Sequence, residues 1–99
     1  MAVTARLRSV ATADLRWDVS LLGLKNELNT VFTTPEDFRQ DTYMAVRVFY
    51  NGQRLRVGVG NDYLVSESGG PGTGYDTITL LGIAPHTDDN LTADYAVDL

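Results

Sequence analysis

The sequence predicts a small, mainly β domain: an antiparallel β-sandwich or small barrel of about six to eight short strands, preceded by an N-terminal arm or short helix. Three observations predict it. Short runs of β-branched and aromatic residues alternate with polar ones, an Asn-Gly pair joins two such runs, and turn-forming residues recur between the others. With 99 residues the chain fits one domain and leaves no room for two.

Residues 1–16 carry Val3, Leu7 and Val10, a 3–4 spacing compatible with a short helix. The β-branched Thr4 and Thr12 oppose a helix, and an extended arm fits equally well. The expected organisation is an arm over 1–16 and a single sandwich over 17–99. The arm is the expected assembly contact, with Leu7, Arg8 and Trp17 as candidate interface residues. Residues 19–22 read as a strand and 23–28 as a connection. Residues 29–34 read as a strand closed by Pro35. Residues 35–38 suit one helical turn, with Thr34 as N-cap and Glu36 and Asp37 in the first turn.

The clearest local signal follows. Val46, Val48 and Tyr50 alternate with Arg47 and Phe49, a period of two. Asn51-Gly52 suits a two-residue type I′ turn, because both residues tolerate positive φ. The return arm runs through Leu55 and Val57, with Arg54 and Arg56 between them, so that apolar residues face one side and arginines the other. Residues 62–65 read as a short strand. The glycine-rich stretch 66–74 is a flexible loop in which no regular element survives. Residues 77–81 form the next strand, Ala84-Pro85 and the polar run to Asn90 a turn, and Leu91, Ala93 and Tyr95 a closing strand.

Composition narrows the function classes. A net charge of −5 argues against general nucleic-acid binding. The N-terminal residues lack the apolar run of a signal peptide or a membrane span. Without cysteine, disulfides and thiolate chemistry are excluded. All eight basic residues lie between Arg6 and Arg56, and only acids follow (Asp62, Glu67, Asp76, Asp88, Asp89, Asp94, Asp98). Either strand pairing mixes the two halves in space, or subunits meet basic face to acidic face.

Constellations for chemistry are sparse. His86, Asp88 and Asp89 could be imagined around a metal, and Asp88-Asp89-Asn90 around calcium. The first lacks a full ligand set, and the second lacks the alternating oxygens and glycine of an EF-hand loop. The glycine-rich loop lacks the Gly-Lys-Ser/Thr ending of a P-loop and precedes no helix pattern. No Gly-x-Ser-x-Gly elbow occurs. The expectation is no enzyme, no cofactor and no metal. Trp17, the sole tryptophan, suits an interface and a core equally. Tyr43, Tyr50, Tyr63, Tyr75 and Tyr95 sit on expected strands or strand ends, where sheet packing is the default.

The order of these features carries a resemblance. The Asn29-Thr-Val-Phe-Thr run is followed after a spacer by Val46-Arg-Val-Phe-Tyr-Asn-Gly-Gln-Arg-Leu55. Asn61-Asp-Tyr63, Thr77-Ile-Thr-Leu80, Ala84-Pro85 and Leu91-Thr-Ala-Asp-Tyr95 complete the series. Over residues 26–96 this resembles a small β-sandwich module that recurs in structural proteins of tailed bacteriophages. Asp88-Asp89 stand where that module usually has a glycine and an aspartate, and the loop at 69–74 exceeds a tight hairpin. The resemblance implies a non-enzymatic virion protein of tail, fibre, neck or capsid decoration. It implies turn and scaffold roles for Asn51, Gly52, Asp62, Tyr63, Ala84, Pro85 and Tyr95, with Tyr63 and Tyr95 plugging the sandwich. The leading expectation is a homo-oligomer, a ring or trimer at the neck or tail, in contact with other virion proteins. Capsid decoration is the competitor within that class. A carbohydrate-binding or adhesin module using Tyr75 and the 66–76 loop is the reading from another class.

Overall fold

The computed structural model describes residues 13–40 and 45–98, so Leu7 and Arg8 lie outside the described residues. The described residues form seven strands and no helix, in two antiparallel sheets. The strands are β1 (Ala13–Ser20), β2 (Val31–Phe38), β3 (Arg47–Tyr50), β4 (Gln53–Arg54), β5 (Tyr63–Ser66), β6 (Tyr75–Leu80) and β7 (Leu91–Asp98). One sheet has the order β1-β7-β3-β4 and the other β2-β6-β5. This bears out the expected small β-sandwich.

Alternation builds the core. Along β7, Leu91, Ala93, Tyr95 and Val97 point inward, and Val48 of β3 and Val46 just before it join them. Phe32 and Phe38 of β2, Ile78 and Leu80 of β6, and Tyr63 of β5 close the core from the other sheet. Phe32, Val48, Ile78 and Pro85 are the largest fully buried side chains. Each such side chain contributes about 1.5–3 kcal/mol through apolar area removed from water.

Backbone bridges tie the two sheets together at both sides. After β1 the chain crosses over, and Leu22 exchanges hydrogen bonds with Thr33 of β2 at 2.7 and 2.9 Å. On the opposite side Val57 makes a parallel bridge to Tyr63 of β5. The architecture is therefore a sandwich closed part of the way toward a barrel.

Four local expectations change. Strand β1 starts at Ala13, inside the segment read as an arm. Pro35 does not end its strand. Between Thr33, opposite Thr77, and Phe38, opposite Tyr75, the chain bulges outward and then rejoins β6. The Thr34 hydroxyl donates to the Glu36 carbonyl instead of accepting amide protons as an N-cap, so no helical turn forms at 35–38. The return arm after the Asn51-Gly52 turn pairs only over Gln53 and Arg54. Leu55 still donates to the Val48 carbonyl at 2.8 Å, but Val57 has turned toward β5 and is exposed. Residues 67–74 contain no strand or helix, as expected, and side chains of the loop and of β6 tie them. Asp76 accepts from the Ser68 amide and hydroxyl, and the Glu67 carboxylate accepts from the Gly74 amide at 2.9 Å.

Candidate functional site

The densest polar cluster lies at the hairpin end. Asn51 (φ 50°) and Gly52 (φ 84°) form the left-handed pair of a type I′ turn. The Asn51 amide then reaches the loop before β7: its Nδ2 donates to Asp89 Oδ1 at 3.1 Å, and its Oδ1 accepts the Asn90 amide at 2.7 Å. Asp89 Oδ2 accepts from the Tyr50 hydroxyl at 2.6 Å and from the His86 amide at 2.8 Å. Lys25 donates to the Asp89 carbonyl at 2.6 Å, which brings in the connection after β1. The Tyr50 hydroxyl, then Asn51 and the His86 amide, hold the Asp89 carboxyl down at about 2. The same contact raises Tyr50. Both carboxylate oxygens of Asp89 are thus occupied by scaffold donors.

His86 lies 3.4 Å from Glu27 and 3.7 Å from Asp88. Among the described residues no group of three or more histidine, aspartate or glutamate side chains is arranged to hold a metal ion.

Two of the four edge strands, β1 and β2, carry side chains that cap backbone groups on their free edges. On β1, the Leu15 amide donates to Asp14 Oδ1 at 3.0 Å and its carbonyl accepts from Arg16 Nη1 at 3.3 Å. Arg16 also binds Asp14 at 2.7 Å and Glu36 of β2 at 2.8 Å. The Arg16 contact holds the Asp14 carboxyl below its ordinary value. On β2, the Asn29 amide closes a ring with Val31, accepting from its N–H at 3.1 Å and donating to its carbonyl at 2.8 Å. Exposed strand edges are templates for another chain, and such caps blunt them.

Besides Val57 and Val59 in the loop before β5, large apolar side chains stand outside the core in two places. The first is the connection after β1, where Leu22, Leu24, Leu28 and Val31 are exposed, Leu28 by 84%. The Asn26 carboxamide oxygen accepts the amides of Leu28 and Asn29 at 3.0 and 2.9 Å, so this loop is pre-shaped. The second is the outer face of the four-stranded sheet. Between Arg16, opposite Tyr95, and Val19, opposite Ala93, β1 carries one extra residue. Asp18 adopts φ 53° there, and its amide donates to Asp94 Oδ1 at 2.7 Å. This bulge lets Arg16 and Val19 both point inward and turns Trp17 out, 61% exposed. Trp17 and Asp94 border two hollows on this face, one shared with Leu15, Arg47 and Ala96, the other with Asp18, Phe49 and Thr92.

The residues singled out in the sequence fall into place as follows. Asp62 accepts the Arg56 amide at 2.7 Å at the corner entering β5. Tyr63 is buried, and its hydroxyl donates to the Val46 carbonyl at 3.2 Å. Burial raises its pKa. Tyr95 packs against Phe38, and its hydroxyl is buried without a hydrogen-bond partner among the described residues. Pro85 is buried, and its carbonyl accepts the Glu27 amide at 3.0 Å, while Ala84 beside it is half-buried. Tyr75 stacks on Phe38, at 6.1 Å between ring centroids. Arg47 lies opposite Asp94, so strand pairing mixes the basic and acidic halves at that point.

Sequence reasoning missed the leucine-bearing connection, the Asn29 cap and the Asp14–Arg16 clamp. The recurrence of leucine at 22, 24 and 28 inside a turn-rich stretch was the available signal.

No protein-family model, no curated protein and no solved structure matches the chain.

Proposed function

We propose that this protein is a non-enzymatic structural component of a tailed-phage virion, present in several copies at the neck or tail and bound there to itself and to other virion proteins. One observation carries the reading. The side chains suited to chemistry serve as scaffold, while large apolar side chains stand outside on pre-shaped backbone. Asp89, Tyr50 and Asn51 hold loops together, and Asp14 and Arg16 cover an edge. Leu24, Leu28 and Trp17 are presented to solvent. Exposed apolar clusters rimmed by polar groups mark interaction sites. The sequence order that resembles the phage module supports the placement in a virion.

Cryo-electron microscopy of the intact particle tests the proposal. A few copies at one vertex or along the tail, with the leucine-bearing connection against a neighbour, is the expected image. Many copies spread over the shell would move the assignment to capsid decoration. Absence from purified particles would overturn it.

A further inference from the structure

We propose that the outer face of the β1-β7-β3-β4 sheet docks a second copy of this chain, face to face, about a two-fold axis parallel to the strands. The inference rests on the oligomeric reading above and names its contact. Charge and aromatic placement carry it. Across this face Asp18 and Asp94 lie with Trp17 on the β1–β7 side, and Arg47 and Arg54 lie with Phe49 on the β3–β4 side. A rotation about an axis along the strands lays β1 and β7 of one copy over β3 and β4 of the other. Each acid then faces an arginine twice over, and each Trp17 faces the Phe49 side of its mate, within reach of an arginine. A rotation about an axis across the strands would set β1 over β1 and oppose like charges. Joining through the β1 or β2 edge is disfavoured by the caps on Leu15 and Val31.

Four strands spaced by about 4.8 Å make a face of only a few hundred Å2, less than the roughly 800 Å2 per partner of a standard interface. The pairing is therefore weak on its own, and other virion contacts reinforce it in the particle.

Trp17 is the single tryptophan and reports on its own burial. The full chain is followed by tryptophan emission and light scattering between about 1 μM and 1 mM, a range that spans weak association. The expected result is a blue shift of the emission in step with dimer formation, reversed by added salt and weakened about tenfold in Arg54→Glu. Association with unshifted emission would overturn the face assignment and leave the assembly reading standing. A monomer with constant emission throughout would also overturn it, and particle images would still decide the virion assignment independently. Circular dichroism of the Arg54→Glu variant, whose altered side chain is exposed, verifies that it is folded.

Discussion

The two ends of this sandwich hold themselves together differently. At the hairpin end, the Asn51-Gly52 turn, the connection carrying Lys25 and the loop before β7 converge on Asp89, and Asn51 and Asp89 themselves are residues common in turns. At the β1–β2 side, order depends on a bulge, a sheet crossover and side chains standing in for strands. The first arrangement gathers partners far apart in sequence onto one residue, 38 residues between Asn51 and Asp89 and 64 between Lys25 and Asp89. The second spreads single contacts over shorter spans, such as Arg16 with Glu36 and Leu22 with Thr33. A turn can be recognised from its own residues, whereas an edge can be recognised only once its neighbours are known.

The largest effect expected on the β1–β2 side is from Phe32→Ala. Phe32 is 1% exposed and lies beneath Gly23, so truncation leaves a cavity there. A loss of about 3–5 kcal/mol in chemical denaturation is expected. A loss below about 1 kcal/mol would mean that the crossover over Phe32 is not a packed part of the core.

At the hairpin end, Asn51→Ala is expected to cost about 2 kcal/mol, combining a left-handed backbone penalty with lost side-chain hydrogen bonds. Asn51→Gly keeps the backbone and should cost about 1 kcal/mol, the share of the lost hydrogen bonds. No cost in Asn51→Gly would show that the tie to residues 89 and 90 contributes nothing.

Acid should loosen the same end selectively. The Asp89 carboxyl is held at about 2 against an ordinary 3.8. A depressed folded-state value means that its stabilisation is present above about pH 4 and is lost as the pH falls toward 2. Asp14 and Asp76 are shifted in the same direction, so the comparison is with Asp89→Asn. The variant should lose less stability than the parent between pH 4 and pH 2. Parallel pH curves would remove Asp89 from this account.

The smallest stability change on the β1–β2 side is expected from Asn29→Ala, about 1 kcal/mol for the exposed bonds to Leu24 and Val31. Its larger signature should be faster aggregation in a thioflavin assay, because the β2 edge is uncovered. Unchanged aggregation would mean that the bridge from Leu22 to Thr33 alone protects that edge.

Much of the sandwich was legible in the residues. The β3 alternation, the Asn51-Gly52 turn, the β6 run and the β7 alternation each carry their own periodicity, and each became a strand or turn at the expected place. The β1–β2 side was not legible for a physical reason. A bulge shifts the alternation by one, so Arg16 and Val19 face the same way although three positions apart, and Trp17 is turned to solvent. Proline at 35 and the acids after it imitate a helix start, but the outward excursion keeps Phe38 in the core and Thr34 bonded to the Glu36 carbonyl. Of the candidate surface, Trp17 could be named in advance but not oriented. The exposed leucines in the connection could not be distinguished from core residues, because leucine is common in both settings and this stretch has no period.

The pairing of Ala13 with Asp98 has a mechanical consequence. The first and last described strands run antiparallel and side by side, so tension applied through Ala13 and Asp98 would peel β1 from β7 one rung at a time. Tension between Ala13 and Leu91, at opposite ends of the paired strands, would instead load all the β1–β7 rungs in shear at once. A subunit gripped at the loop before β7 and pulled from its first strand would resist far more force than one pulled by its first and last strands.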